Sequence, residues 1–390
     1  MLKFLKNLNL IIPQVHTSWF PAFIFACAFL GYFFYGEVSP LARNYLHINF
    51  WCCSLLSIIV LIFFNRRKPI FFILIGILSY TIINWLKKQY SLDYLSSSEY
   101  INLCFFAPIN LAIFYFLPNR RLLNIYNLLW LIFIFLQFAL AEYLSQYNIT
   151  ISFNSPLDGI NLNSLSIILF TLFIISAFIK CSLNGYIDDT ALFFSSLNIF
   201  AGFYYSASST ALSIFFSAAA ITTTVGIISN IHYNIHYDFL TGLASRRTYL
   251  EDAKKFPLKY SLAIICLDNF KHLYKILGYY KSQNLIKMLA NRLVELEPEN
   301  PIYRYSQDEF IIIFKNDNLK QSFEKLDNIR REIASSEFMF SHRRKGLKIT
   351  ISGCVSEKKR SDSNPTEVLL RAHRTLQKTY QFTQNLISKA

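Results

Sequence analysis

The sequence predicts two parts of different fold class, an all-α polytopic membrane domain of about eight helices and then an α/β domain. Of the 390 residues, 53% are hydrophobic and only 16% are charged, whereas a soluble domain has about 25% charged residues. Eight apolar runs precede residue 231, and after Tyr237 buried-strand patterns alternate with charged helical ones. We therefore predict a membrane domain at 1–230, a short connector at 231–237 and an α/β domain at 238–390.

The apolar runs approach the length that a membrane helix needs, which is about 20 residues. They cover residues 19–35, 49–64, 69–86, 101–117, 122–141, 165–179, 190–205 and 211–230. The last two are nearly continuous. They are compatible either with a helical hairpin or with one long buried element.

Basic residues predict the orientation of these spans, because Lys and Arg concentrate in cytoplasmic loops. The segment 142–164 has neither, whereas Lys87 and Lys88 fall on the predicted outer side and disagree with the pattern. An even number of spans then places both termini in the cytoplasm. The basic residues on the predicted inner side are Lys3, Lys6, Arg66, Arg67, Lys68, Arg120, Arg121 and Lys180.

The remaining composition narrows the function classes. A net charge of +14 suits a protein that lies against anionic lipid, and the α/β part lacks the stripe of Arg and aromatic residues expected of a nucleic-acid partner. Seven cysteines without a CxxC spacing are predicted to be free. The spans carry almost no ionisable residues, which favours sensing or anchoring over transport.

The segment after Tyr237 predicts an α/β sandwich, with helices packed on a sheet. Buried strands are predicted at 260–267, 310–314 and 347–355. Helices are predicted at 250–255, 285–296, 319–335 and 365–384.

Several motifs in this segment resemble those of the GGDEF (diguanylate cyclase) domain. Residues 238–247 read DFLTGLASRR, with Ser245 where the family has Asn, and residues 304–310 read RYSQDEF. Between them lie CLDNFK at 266–271 and Gly278, and ITISGCV follows at 349–355. The resemblance covers about 238–380 and implies a cytoplasmic, nucleotidyl cyclase-type fold beneath a bacterial inner membrane.

The resemblance also implies a chemistry. Family members join two GTP molecules into cyclic di-GMP between two facing domains, with divalent metal neutralising the phosphates. An active protein of this kind needs Mg²⁺ and GTP and forms a homodimer through this domain. The implied metal ligands are Asp268 and Asp308, although the first family ligand position holds Cys266.

The other implied site residues are few. Asp308 and Glu309 are the catalytic remnant of the signature, and Lys271 and Asn269 are the implied nucleotide contacts. The sequence departs from the family at the two signature glycines, the two guanine-reading positions and the phosphate-binding Lys of the last helix. The residues at these positions are Ser306, Gln307, Tyr274, Gln283 and Tyr380.

These departures rank three hypotheses about the function of the protein. The favoured one is a catalytically silent GGDEF-like domain without a cofactor, which acts by protein contact or nucleotide sensing in cyclic di-GMP signalling. The alternative is an active diguanylate cyclase that uses Asp308, Glu309, Asp268 and Lys271. The third is a transporter or polymer-export component with a regulatory domain. The expected partners are the lipid bilayer, a second copy of the domain and a signalling protein, and no nucleic acid.

Overall fold

The computed structural model describes residues 19–34, 39–118, 124–147, 149, 162–184, 186–339 and 346–390. The chain divides into two units, Met1–Ile231 and His232–Ala390. Each unit has hydrophobic clusters of its own. The first is a helical unit and the second is an α/β unit.

The described part of the helical unit consists of apolar helices at each of the eight predicted runs. Five of them are long and apolar enough to cross a membrane, while Trp19–Phe33 and Ile125–Ala141 are shorter apolar helices. The five are Tyr45–Phe63, Arg67–Tyr90, Ser98–Phe116, Ser164–Leu183 and Ser209–His236. The number of spans therefore stays a prediction. The helices are α1 (Trp19–Phe33), α2 (Pro40–Phe63), α3 (Arg67–Tyr90), α4 (Ser98–Phe116), α5 (Ile125–Gln146), α6 (Ser164–Asn184), α7 (Ile187–Tyr204) and α8 (Ser209–His236).

The last two helices form a hairpin and not one long element. Helix α7 ends at Tyr204 and α8 begins at Ser209. The Ser195 hydroxyl donates to the carbonyl of Ala219 at 3.1 Å, and the Thr223 hydroxyl donates to Ser195 at 2.8 Å. Small hydroxyl residues let two apolar helices approach closely while their polar groups remain satisfied.

Two ion pairs lie at one end of the helical unit. Arg66 pairs with Asp188 at 3.3 Å and Lys180 with Asp189 at 3.1 Å, where α2, α6 and α7 have their termini. Lys87 instead binds the loop between α7 and α8. It lies about 30 Å further along α3, at 1.5 Å per residue. The predicted inner basic residues that are described therefore share an end, and Lys87 lies at the other.

The α/β unit is built on one six-stranded sheet. The strands are β1 (Ala244–Ser245), β2 (Tyr260–Leu267), β3 (Ile302–Arg304), β4 (Glu309–Lys315), β5 (Ile351–Glu357) and β6 (Ile387–Lys389). Their order in the sheet is β1-β3-β4-β2-β5-β6. The inner pairs β3–β4, β4–β2 and β2–β5 are antiparallel, and the outer pairs β1–β3 and β5–β6 are parallel.

The sequence predicts helices packed on a sheet, and in the structure they cover both of its faces. One face packs on α10 (Phe270–Leu296) and α11 (Leu319–Ser335), and the other on α9 (Arg246–Asp252) and α12 (Pro365–Tyr380). Strand β2 is buried along its whole length. It is central because a continuous apolar run cannot leave either side in water.

The remaining element bounds differ from the predictions in a few places. Helix α8 runs through the predicted connector to His236, and α10 begins at Phe270 instead of residue 285. Strand β5 begins at Ile351, because Leu347 forms an isolated bridge with Phe338. The short strands β1, β3 and β6 have too few residues to show a period of two.

Gly278 interrupts α10 with φ +74° and ψ 174°, a conformation that only glycine adopts readily. We expect Gly278→Ala to destabilise the α/β unit by about 1–3 kcal/mol through backbone strain. No neighbouring atom lies within 4 Å of an added Cβ, so steric overlap does not contribute. Thermal unfolding of the full chain measures the loss. An unchanged unfolding temperature would show that the kink relaxes into regular helix.

Candidate functional site

The signature segment forms a tight hairpin between β3 and β4. The amides of Tyr305 and Ser306 donate to the carbonyl of Glu309 at 2.9 and 3.2 Å, and the Leu267 amide donates to the carbonyl of Asp308 at 3.1 Å. The hairpin tip is therefore attached to the end of β2. Neither Ser306 nor Gln307 has a positive φ. The turn therefore closes without the two glycines of the family signature.

Arg304 connects this hairpin to the N-terminal motif of the domain. Its guanidinium donates to Asp238 at 2.6 Å and to the carbonyls of Ser306 and Gln307 at 3.3 and 3.0 Å. Asp238 also accepts hydrogen bonds from the amide and hydroxyl of Thr241 at 2.9 and 2.7 Å. These matched motif residues therefore hold the backbone of the hairpin in place.

Asp268, one of the two implied metal ligands, lies at the end of β2 and is only 3% exposed. Its carboxylate accepts hydrogen bonds from the hydroxyls of Thr350 and Ser352, both at 2.7 Å, and from the amide of Asn385 at 2.8 Å. Both carboxylate oxygens already have donors. Its assignment as a metal ligand stays a prediction, which this geometry does not favour.

Cys266 lies opposite Glu309 in the β2–β4 register. Burial raises the pKa of its thiol to about 12, and the neighbouring carboxylates of Asp268, Asp308 and Glu309 act in the same direction. The thiol is therefore protonated and neutral at physiological pH. A neutral sulfur is a poor ligand for Mg²⁺, which prefers oxygen.

The acidic pair of the signature is split between two environments. Glu309 Oε1 lies 3.1 Å from Nε2 of His373 on α12. Asp308 is half-buried, and desolvation together with the charge of Glu309 raises the pKa of its carboxyl, although Lys271 and Arg304 lower it in part. Asp308 is thus the more available of the two carboxylates.

The implied nucleotide contacts follow β2. The Asn269 amide donates to the Tyr380 hydroxyl at 3.0 Å, and the Asn269 side chain exchanges two hydrogen bonds with Gln384 at 2.6 and 2.9 Å. Lys271 is exposed at the start of α10. The sequence-predicted residues therefore lie together at this end of the sheet, but Asn269 already has partners.

The positions that read guanine in the family lie on α10. Tyr274 is 37% exposed and packs near the rings of Phe270 and Tyr279, with centroid distances of 6.2 and 6.5 Å. Gln283 is half-buried. Within the described ranges, no three His, Cys, Asp or Glu side chains form a group that could hold a metal ion.

Sequence reasoning missed the partners that occupy the acidic groups. The contact of His373 with Glu309 depends on the packing of α12, which the motifs do not predict. The pair Thr350 and Ser352 did carry a signal, because alternate residues of a strand face the same side. Two hydroxyls at that spacing beside a buried Asp indicate a hydrogen-bonded carboxylate.

The sheet and hairpin define a nucleotidyl cyclase-type α/β domain. A family described as "Diguanylate cyclase, GGDEF domain" matches residues 235–385. Residues 235–385 therefore form a GGDEF domain, as the motifs predict. The family belongs to cyclic di-GMP signalling, and its active cyclases use Mg²⁺ and GTP.

Several curated relatives match part of this chain. The diguanylate cyclase VdcA of Vibrio cholerae is 29% identical over 145 residues, which is 35% of this chain and 42% of the relative. The signaling protein YkoW of Bacillus subtilis is 35% identical over 96 residues, 23% of this chain and 12% of the relative. The chain thus spans less than half the length of these relatives. A crystal structure of the coiled coil and GGDEF domain of DgcB from Caulobacter crescentus in complex with c-di-GMP is 21% identical in sequence. The match has a TM-score of 0.38 and covers 42% of this chain and 90% of that chain.

Asp308→Asn is expected to stabilise the α/β unit at neutral pH, by less than about 1 kcal/mol. The raised pKa of Asp308 means that the folded state disfavours the charged form. The gain in stability is present at pH values above the pKa of Asp308 in the folded protein. It disappears at pH values below the ordinary pKa of Asp, because Asp308 is then protonated in both the folded and the unfolded states. Denaturant unfolding at pH 7 and at about pH 3.5 measures it. A loss of stability at pH 7 would contradict the expectation.

Proposed function

We propose that this chain is a membrane-anchored signalling protein of the bacterial inner membrane whose GGDEF domain does not make cyclic di-GMP. It acts in cyclic di-GMP signalling by contact with a second copy or another protein, or by sensing a nucleotide. The observation that carries the proposal is that the acidic side chains at the end of β2 are already bound within the domain. Asp268 accepts hydrogen bonds from two hydroxyls, and Glu309 contacts His373.

The residues present do not fit a divalent metal site. Cys266 supplies a neutral thiol, the oxygens of Asp268 have three donors, and Glu309 contacts His373. Of the carboxylates of Asp268, Asp308 and Glu309, only that of Asp308 has no such partner among the described residues. Mg²⁺ needs oxygen ligands in near-octahedral geometry and is usually bound through one or two carboxylates together with substrate phosphates. The second carboxylate and the phosphate-binding groups would both have to come from elsewhere.

The phosphate and base contacts are weakened as well. Tyr380 stands where the family has a phosphate-binding Lys, and its hydroxyl instead accepts a hydrogen bond from the Asn269 amide. The exposed side chain of Gln307 occupies the hairpin tip where the family has glycine. Phosphoryl transfer depends on positioning and charge neutralisation, and loss of one such contact costs about 10²–10³ in rate. The combined changes predict negligible turnover.

Apolar surface on the helical unit supports the membrane anchor. Ile59, Leu136 and Leu172, on three different helices, are 64%, 62% and 60% exposed. Leaving such a side chain in water forfeits about 1.5–3 kcal/mol of burial free energy. A lipid surrounding removes that cost, and it matches the five helices long and apolar enough to span.

The end of the helical unit that carries Arg66, Lys68 and Lys180 supports an orientation with that end in the cytoplasm, because Lys and Arg are retained on the cytoplasmic side. Reporter fusions at both termini test it. We expect a cytoplasm-active fluorescent reporter to mature at either end and a periplasm-active phosphatase to be inactive there. Phosphatase activity at the C-terminus would contradict the proposed location of the GGDEF domain.

Calorimetry on the purified full chain separates the two modes of action. Saturable binding of GTP or cyclic di-GMP without turnover supports nucleotide sensing. Lack of heat with either nucleotide leaves protein contact, and cross-linking in membranes then has to identify a second copy or a partner. Continuous heat from GTP consumption would contradict both modes.

A further inference from the structure

Helix α10 exposes three tyrosine rings on either side of its break at Gly278. Tyr274 is 37% exposed, Tyr279 is 58% exposed and Tyr280 is 86% exposed. The ring centroids of Tyr274 and Tyr279 are 6.5 Å apart, and those of Tyr279 and Tyr280 are 5.4 Å apart. The three rings therefore form one continuous row on the surface of the GGDEF domain.

The break in α10 brings these rings together. Tyr274 and Tyr279 are five residues apart, and in a regular helix with 3.6 residues per turn their side chains would point about 140° apart. Gly278 leaves the helical conformation with φ +74° and ψ 174°, and the ring of Tyr279 then lies beside that of Tyr274. The row of rings is a consequence of the break.

Lysines flank the row of rings. Lys275 follows the first ring along the chain and Lys281 follows the last, and both side chains are exposed. Residues 269–294 contain no Asp or Glu. Asp308 of the signature hairpin lies near this end of the helix, where Lys271 partly offsets its charge. The surface that we call the aromatic-basic patch is therefore positively charged, and it consists of Tyr274, Lys275, Tyr279, Tyr280 and Lys281.

Exposed tyrosines beside lysines are the combination that suits the surface of an anionic bilayer. Tyr has an apolar ring with a polar tip and is enriched at membrane interfaces, and anionic headgroups attract nearby Lys. A second copy of the same patch fits poorly, because a two-fold contact would bring the lysines of both copies together. Charge therefore favours lipid over self-association.

We propose that the aromatic-basic patch docks the GGDEF domain on the anionic headgroups of the membrane that anchors the chain. The proposal rests on the membrane anchor of the proposed function and not on the lack of turnover. Along the chain, the domain follows α8 directly, and such a link raises the effective concentration of the patch at the bilayer, so that a weak contact is enough. Since Tyr274 holds a guanine-reading position of the family, docking also covers that position.

Amide hydrogen exchange of residues 270–284 tests the docking on the full chain, at one chain per nanodisc. Nanodiscs of phosphatidylcholine alone are compared with nanodiscs that also contain phosphatidylglycerol. We expect this segment to exchange about tenfold more slowly with phosphatidylglycerol, because the docked lysines must first leave the headgroups before the helix opens. High salt is expected to remove the difference by screening.

Two double variants separate the contributions of charge and of the rings. Lys275→Gln with Lys281→Gln removes the positive charge, and Tyr279→Gln with Tyr280→Gln removes two rings. Each pair is expected to abolish most of the difference between the two lipids. Because each variant is compared with itself in the two lipids, changes in intrinsic exchange cancel.

Matched controls lie at or beyond α12, which packs on the other face of the sheet. Lys378 is exposed and Phe382 is 85% exposed. We expect Lys378→Gln and Phe382→Gln to leave the difference between the lipids unchanged. The exchange of β2, measured in every variant, reports whether the domain remains folded.

Several outcomes would overturn the proposal. Equal exchange in the two lipids is one, and a difference that persists in both double variants is another. Protection that appears in phosphatidylcholine only when two chains share a nanodisc would assign the patch to a second copy. A chain that does not enter nanodiscs would contradict the membrane anchor as well, whereas formation of cyclic di-GMP would contradict only the catalytically silent state.

Discussion

Asp268→Ala is expected to destabilise the GGDEF domain by about 3 kcal/mol or more. The change leaves the hydroxyls of Thr350 and Ser352 and the amide of Asn385 without their acceptor, and each unsatisfied buried donor costs about 1–3 kcal/mol. Amide hydrogen exchange of β2 and β5 in the full chain measures the loss, since these central strands exchange through global opening of the domain.

The matched control is Asp308→Ala at the neighbouring acidic position, which is expected to cost less than about 1 kcal/mol because its charged form is not favoured by the fold. One outcome would contradict the assignment of Asp268 as a structural residue. If Asp268→Ala keeps full protection but abolishes Mn²⁺ binding, Asp268 is a metal ligand and not a structural residue.

Cys266→Asp is expected to make the stability of the domain depend on divalent metal. Without metal, the new carboxylate joins Asp268, Asp308 and Glu309, the groups that already raise the pKa of the Cys266 thiol. Burial among like charges disfavours ionisation and costs about 3 kcal/mol for a shift of two pKa units. Mn²⁺ at about 100 times its Kd restores about 2.7 kcal/mol.

The control for this change is Cys266→Ser, which stays neutral and preserves the size of the side chain. We expect the unfolding temperature of the unchanged chain and of Cys266→Ser to be insensitive to Mn²⁺, and that of Cys266→Asp to rise with it. An equal rise in all three would show that the metal binds without the residue at 266.

The sequence predicted the elements with strong apolar patterns. Strand β2 and helix α11 have the predicted bounds, 260–267 and 319–335, because one is a continuous apolar run and the other is amphipathic with an N-terminal cap at Asn318. The two-residue β1 and three-residue β6 could not be predicted. They form only because neighbouring strands supply their hydrogen bonds.

The site was predictable as a set of positions but not as a set of interactions. The motifs named Cys266, Asp268 and Asp308 as candidate site positions, and in the structure all three lie near the end of β2. The contact of Glu309 with His373 joins residues 64 positions apart. Such a contact depends on how α12 packs against the sheet, which local sequence patterns do not determine.

Incubation of the full chain with GTP shows whether its GGDEF domain makes cyclic di-GMP. The purified protein in detergent or nanodiscs is incubated with GTP and either Mg²⁺ or Mn²⁺, beside an active diguanylate cyclase, and cyclic di-GMP is measured by mass spectrometry. We expect no product above the protein-free blank with either metal. Product that grows in proportion to protein concentration, and that disappears in an Asp308→Ala, Glu309→Ala double variant, would contradict it.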